Sequence, residues 1–505
     1  MRSTASRLAR NSFFLYTRMI ILMGLSLYTS RVVLKALGVD DFGIYSVVGS
    51  ITTMFLSLRS VFSESIQRFL NYEKGRGDVE AESEVFSLGV WMHVLVAIVF
   101  CVLIGTLGSL YLNHTADIPE ARMGAARLVF ISTIFSSVFV ILLVPYDAVL
   151  IANEKMDVYA WVSIADGVFR LVSALLLVFI SVDSLVLYAI LTALIPVLNF
   201  IFYLFYCSRF PECKYKKAHS RDKMKSIVSF AGWSFGGNMS YTLTHEGINL
   251  ILNSFGGVVA NAARSIAYQV RSAVNQVSNN TILATKPFIV QSSVSMSDDA
   301  IWEKILIISR LSFYIMVLTS LPIIVYCDYL LGVWLTTVPD NSVQFTQLII
   351  IATVIRSLHG PLDLFYMAKG KIKRMVLVES TILLLLLPAV YGVLALGYSI
   401  SVVFILLSVW EVAIVLALTI NASREFGVSI MAYVQRVITP SCMSVLCAVL
   451  IGYIFIKFFR FTSIIPVLVA MATMVILFGG LLYWVLLRSE EKTIVKGLVQ
   501  SFLHR

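Results

Sequence analysis

The chain has 505 residues, 59% hydrophobic and 13% charged, where an ordinary soluble domain carries roughly 45–50% apolar and 25% charged residues. A mean hydropathy of +0.88 spread over that length excludes a soluble globule, whose surface would need far more charge. The net charge of +10 would suit a nucleic-acid binder, but a basic excess is also what the cytoplasmic loops of membrane proteins carry, and its position along the chain favours the membrane reading.

A crossing helix needs about 20 apolar residues. Fourteen runs of that length are predicted, at 12–35, 42–68, 85–112, 124–151, 158–181, 184–207, 227–255, 258–290, 302–327, 342–367, 375–396, 400–421, 434–458 and 464–487. All should be helices, because open sheet edges do not survive in lipid. The N-terminal Arg2, Arg7 and Arg10 precede the first run without a small-residue cleavage site, so that run reads as a retained span. The six cysteines form no C-x-x-C pair and read as free thiols, with no metal site and no cofactor implied.

The basic residues test the count. With a cytoplasmic N-terminus, the inside segments hold 25 Lys and Arg and the outside segments 4. An odd error in span number would invert this alternation partway, so both termini are expected in the cytoplasm. The most polar connection is Arg209 to Lys225, between spans 6 and 7. It divides the chain into an N-lobe (1–208), a basic cytoplasmic linker (209–225), a C-lobe of spans 7–12 (226–421) and a two-span tail (422–505). A faint internal echo supports the division: Leu34-Lys35-Ala36-Leu37-Gly38 at the first external turn and Leu252-Asn253-Ser254-Phe255-Gly256 at the fourth. Asp40 and Asp41, just after the first of these turns, read as an N-cap for span 2.

Ionisable groups inside a span are expensive and should face protein or water. On span 8, Tyr268, Arg271, Asn275, Ser278, Asn279 and Lys286 fall within about 60° of Arg264 at 100° per residue. On span 7, Asn238, His245, Glu246, Asn249 and Asn253 lie within about 60° of Thr242. Span 1 adds Arg31, while Arg18 and, on span 2, Arg59 lie off the main faces and need a bend or a neighbour to join them. Snorkelling to an interface, or pairing with a carboxylate for packing, is the plainer explanation for each arginine. It weighs equally for Arg18, Arg59 and Lys286, and less for the deeper Arg31 and Arg271. His359, before Gly360 and Pro361, reads as capping a helix break.

Several fixed guanidinium groups suit phosphate, because the planar fork pairs bidentately with its oxygens and stays charged. The amides, hydroxyls and Tyr16, Tyr28, Tyr241 and Tyr268 suit sugar hydroxyls and ring faces. Glu246, beside His245 and near the midplane, is a candidate for coupling to H+ or Na+, with a static ion pair to an arginine of span 8 as the alternative.

The stretch Leu37-Gly38-Val39-Asp40-Asp41-Phe42-Gly43-Ile44-Tyr45, after an arginine-bearing first span, resembles the first turn of the polysaccharide and O-antigen flippases of the multidrug/oligosaccharidyl-lipid/polysaccharide exporter superfamily. Fourteen spans, a basic central linker and cytoplasmic ends agree with that family along the whole chain. Arg59, Phe62 and Glu64 are similar to an Arg-hydrophobic-Phe-x-Glu run of its lipid II flippase branch, although the second arginine of that run is Ser60 here. The resemblance implies an all-α, two-lobed transporter with a MATE-like V shape in the bacterial inner membrane. It would move undecaprenyl-pyrophosphate-linked oligosaccharide, for O-antigen, capsule or exopolysaccharide, to the periplasmic leaflet. Membrane lipids and the polysaccharide polymerase machinery would be its other partners. A multidrug cation antiporter of the same superfamily is the alternative, and it would want carboxylates where this chain has arginines. A membrane glycosyltransferase or polymerase is a third reading, but the external segments are too short to enclose an acceptor site.

Overall fold

The computed structural model describes residues 2–56, 66, 69–70, 73, 77–153, 155–180, 182–214, 221–369, 371–459, 463–489 and 491–493. Among the described residues the regular structure is helical. In chain order the helices are α1 (Arg2–Leu56), α2 (Val79–His114), α3 (Glu120–Leu142), α4 (Val144–Ala152), α5 (Met156–Leu176), α6 (Ser184–Cys207), α7 (Arg221–Ser295) and α8 (Asp298–Val325). They continue with α9 (Cys327–Trp334), α10 (Ser342–Arg356), α11 (His359–Ala368), α12 (Ile372–Ala395), α13 (Ser401–Phe426), α14 (Ile430–Tyr433), α15 (Thr439–Phe458) and α16 (Ile464–Leu481).

Among the described residues, ten helical stretches are long and apolar enough to cross a membrane. The two longest helices, α1 and α7, are not among these ten, and each is two arms meeting at a glycine: Gly38 in α1 (φ 78, ψ 177) and Gly257 in α7 (φ 63, ψ −170). A positive φ of this kind is strained for any residue with a Cβ, so glycine lets the chain reverse without an intervening loop. The two turns share one backbone conformation. The echo in sequence is therefore real in geometry, but its register is one residue off, with Gly257 and not Gly256 at the reversal.

By contacts the chain falls into two units, residues 1–265 with 335–339, and residues 266–334 with 340–505. The first arm of α7 and the start of its second thus group with the N-terminal helices. In this first unit Ile44, Val47, Val48 and Ile51 recur at helical spacing on the second arm of α1 and pack on Phe100 and Ile104 of α2, Val129 and Phe130 of α3, Leu185 of α6 and Val258 of α7. The opposite face of α2 carries Trp91, Leu95, Ile98 and Val102, all exposed, which is a lipid-facing stripe.

Three connections between helices are tied at one arginine. Arg122, at the start of α3, donates Nε to Asp41 Oδ1 at 2.8 Å and Nη1 to Asp183 Oδ2 at 2.6 Å. Asp183 also caps α6 by accepting from the Leu185 and Val186 amides. Asp41, expected as an N-cap, is thus held by a partner 81 positions away in sequence. The hydrogen bonds from Arg122 hold the Asp183 carboxyl below its usual range, whereas burial pushes Asp41 above it against the pull of the same guanidinium. The sign follows for each. The Asp183 contribution is complete above its unfolded value near 3.8 and is lost as pH falls through the lowered folded value. Asp41 works in the opposite sense, taking up its proton earlier in the folded protein. Arg122→Gln should therefore remove about 1 kcal/mol at neutral pH, discounted for partial exposure. The gap from wild type should close below pH 4, as read by melting temperature across pH in detergent.

In the second unit, Arg310 of α8 and Glu491 are both fully buried, with Nε to Oε1 at 2.7 Å. Arg310 also donates Nη1 to the Arg436 carbonyl at 2.5 Å. That carbonyl is available for a reason visible in sequence: Pro440, four residues on, has no N–H to give it. Residues 434–438 accordingly form a π-helical turn between α14 and α15.

Candidate functional site

The arms of α7 carry most of the polar positions singled out in the sequence. About a reversal at Gly257, residues equally far on either side face each other, so Asn253 meets Asn261. The Asn253 Nδ2 donates to Asn261 Oδ1 at 3.0 Å, and Asn261 Nδ2 donates to both the carbonyl and the side-chain oxygen of Asn249 at 2.8 Å. Asn253 Oδ1 accepts in turn from the Asp117 amide at 3.0 Å and the Tyr111 hydroxyl at 3.2 Å. All three asparagines are buried. Hydrogen bonds between side chains on neighbouring helices of this kind hold the two arms together.

One turn deeper, Arg264 reaches back across the hairpin and donates Nη2 to the His245 carbonyl at 2.6 Å. The His245 ring lies 4.3 Å, centroid to centroid, from that of Tyr241. Both His245 and Arg264 are buried, Glu246 is half-buried, and Arg264 acts electrostatically on Glu246. The Ser46 and Ser265 hydroxyls bond to each other, linking α1 to the same stretch of α7. His245, Glu246, Asn249 and Arg264 are thus brought together around one helix hairpin.

Farther along α7, in the second unit, Arg271 is buried with its guanidinium 5.1 Å from the centre of the Tyr268 ring, at cation–π distance. Asn275 is half-buried one turn beyond. Arg31 on α1 is half-buried as well. Arg59, with the Phe62 and Glu64 run, lies outside the described residues, as do the side chains of Arg18, Asn238 and Lys286.

A second cluster escaped the sequence reading. Arg356 of α10, His359 and Asp363 of α11, Glu379 of α12 and Glu411 of α13 converge in the second unit. Arg356 Nη1 is 3.2 Å from Glu411 Oε1, and His359 Nε2 is 3.4 Å from Asp363 Oδ1 and 3.7 Å from Glu379 Oε1. His359 follows the break between α10 and α11, where it was expected, but it is buried and turned inward. The signal in sequence was His359 and Asp363 one helical turn apart, with two mid-span glutamates that a membrane interior would not tolerate without cause.

Among known proteins, the profile of the family described as polysaccharide biosynthesis protein matches residues 8–293. No curated protein sequence matches the chain. Solved structures do. A lipid II flippase MurJ in an inward closed conformation superposes with a TM-score of 0.70 at 13% identity, covering 94% of this chain and 100% of that one. A multidrug resistance MATE family transporter of the MOP superfamily, inward-facing, gives 0.68 at 12% identity, with 81% and 97% covered. A MOP superfamily transporter from Pyrococcus furiosus gives 0.59 at 12% identity, with 85% and 96% covered. At such identities the likeness establishes the fold, which is a multi-pass membrane transporter fold and not that of an enzyme. Since the profile takes in more than half of the residues, the arginine-bearing helices among them, the chain belongs to the polysaccharide biosynthesis protein family of membrane transporters.

Proposed function

We propose that this protein is a flippase that carries undecaprenyl-pyrophosphate-linked oligosaccharide, a repeat unit of O-antigen, capsule or exopolysaccharide, from the cytoplasmic to the periplasmic leaflet of the bacterial inner membrane, with both termini cytoplasmic. The observation that carries the reading is the burial of Arg264 and Arg271 on one arm of α7, which also carries Tyr268 and Asn275. A membrane interior tolerates guanidinium groups where they serve a path or an anion, and pyrophosphate is the anion whose oxygens match their fork. The family match adds support, as does the likeness in fold to a protein described as a lipid II flippase. A multidrug antiporter shares the fold, but a cationic drug would meet Arg31, Arg264 and Arg271 with repulsion.

In this reading Arg31, Arg271 and Arg264 contact the phosphates, with Arg18 and Arg59 nearer the cytoplasmic entrance and Asn249 and Asn275 towards the sugars. Glu246, beside His245, couples the cycle to an H+ or Na+ gradient. Arg271→Ala should lower glycan export at least tenfold at unchanged protein level, since each charge-assisted hydrogen bond lost is worth about 1.5–3 kcal/mol. Arg271→Lys should restore only part, because the charge returns without the fork. Glu246→Gln should leave binding of the lipid-linked substrate intact and remove the response of transport to the gradient. Full export by Arg271→Ala, measured as surface glycan in cells and as flipping in proteoliposomes, would overturn the reading.

A further inference from the structure

The cluster on α11 and α12 has the composition and spacing of a metal-binding site. We propose that His359, Asp363 and Glu379 bind one divalent transition-metal ion, of the Zn2+ or Co2+ kind, inside the second unit. The inference does not depend on the substrate assigned above.

The geometry is the first support. One ligand atom from each of the three residues lies within 4.8 Å of the others. A tetrahedral ion with bonds of about 2.0–2.2 Å sets its ligand atoms roughly 3.3–3.6 Å apart; the 3.4 Å from His359 Nε2 to Asp363 falls within that spacing, and the 3.7 Å to Glu379 lies just beyond it. His359 and Asp363 stand one turn apart on a single helix, so a modest closure of Glu379 from α12 completes the triangle. The backbone next to His359 packs against a neighbour, since a Cβ at Gly360 would meet the Ile282 side chain at 2.9 Å.

The second support is an unmet bonding requirement. His359 is 97% buried, taking its 3% exposure from unity, and its Nε2 points at the two carboxylates without a hydrogen bond. The Asp363 Oδ1 facing it is likewise buried and unbonded. Such atoms are costly in a membrane interior unless something between them uses both lone pairs. An ion in that position takes one lone pair from each.

Charge is the third. Arg356 lies closest to Glu411, at 3.2 Å, and is 3.9 Å from Glu379. Once Arg356 and Glu411 offset each other, Asp363 and Glu379 leave two negative charges beside a neutral imidazole. One dication balances them. Imidazole nitrogen is a ligand that suits Zn2+, Co2+ and their neighbours and is seldom used by Na+, Mg2+ or Ca2+, which prefer all-oxygen shells. The Asp363 side chain is 33% exposed while that of His359 is 4% exposed, so the ion enters past Asp363, where a water completes its shell.

The test uses the full chain in detergent, stripped with chelator and titrated with Co2+, then with Zn2+. One Co2+ per chain should bind with the visible absorption of a tetrahedral ion, and Zn2+ should displace it one for one. His359→Gln and Glu379→Gln should each weaken Co2+ binding at least tenfold, and Zn2+ should raise the melting temperature of wild type and not of the variants. Both replacements keep the approximate side-chain size; Glu379→Gln also removes one negative charge from the metal-free cluster, and His359→Gln leaves that charge unchanged. If either variant fails to fold, Asp363→Asn at the open edge serves instead. The proposal falls if stripped wild type takes up no Co2+, as it would were the two charges balanced by protons, if the absorption survives in the variants, or if Na+ displaces the bound Co2+ as Zn2+ does.

Discussion

Alanine at position 43 is expected to destabilise the first unit severely. A Cβ on Gly43 would fall on the backbone of Val258, on its carbonyl oxygen above all, with Val258 Cβ at 2.9 Å. Neither side can yield. Ile44 and Val47 fix the arm of α1 in the core, and the asparagines on either side of Gly257 fix the arm of α7. Overpacking of side chains costs about 1–3 kcal/mol, and a clash with backbone pinned on both sides should exceed that range. The variant should reach the membrane in reduced amount, melt several degrees lower, and export glycan at a tenth of the wild-type rate or less. Gly49→Ala is the control, because its added methyl meets nothing within 4 Å. It should be neutral or stabilising by up to about 1 kcal/mol through helix propensity. Equal melting temperatures for the two alanine variants would show that α1 and α7 do not pack as described.

Glu491→Ala should cost about 3–5 kcal/mol, the range for stripping one partner from a buried ion pair. The guanidinium of Arg310 would keep its bond to the Arg436 carbonyl but lose the carboxylate that neutralises it. Glu491 also accepts from the Arg488 amide through Oε2, so the chain leaving the last span would loosen as well. Arg310→Leu combined with Glu491→Leu should recover much of the loss, since no charge then remains buried. Melting curves of the two proteins check this: a double variant as unstable as Glu491→Ala would mean that the segment is held by packing and not by charge.

Much of the fold was legible because a membrane enforces simple rules. Apolar length gave the helices, and the placement of Lys and Arg gave an expected orientation without reference to tertiary structure. The turn motif at Leu37 to Tyr45 was also visible, but not its physical content: Gly38 for reversal, Asp41 for Arg122, Gly43 for the approach of Val258. The roles of Asp41 and Gly43 depend on partners 81 and more positions away, which periodicity does not report. The polar stripes of spans 7 and 8 posed the opposite difficulty. Helical wheels assign Asn249 and Asn253 to the polar face of span 7 and Arg264 to that of span 8, yet they do not distinguish a face that lines a path from one that bonds to the adjoining arm. His359 illustrates the same limit, since a residue beside a helix break looks like a cap until the glutamate of another helix is placed against it.

The π-helical turns at Val434–Ile438 and Leu482–Leu486 bear on how the gene tolerates insertion and deletion. Each turn accommodates one residue beyond the α-helical count. Removing a codon from either would restore an ordinary turn and leave the frame of the neighbouring helix almost where it was. The same deletion a few turns away, inside Thr439–Phe458, would rotate everything beyond it by about 100° and carry lipid-facing side chains into the protein. Length variation in the last two spans should therefore concentrate at these two places, which act as slack in the reading of an otherwise rigid ruler.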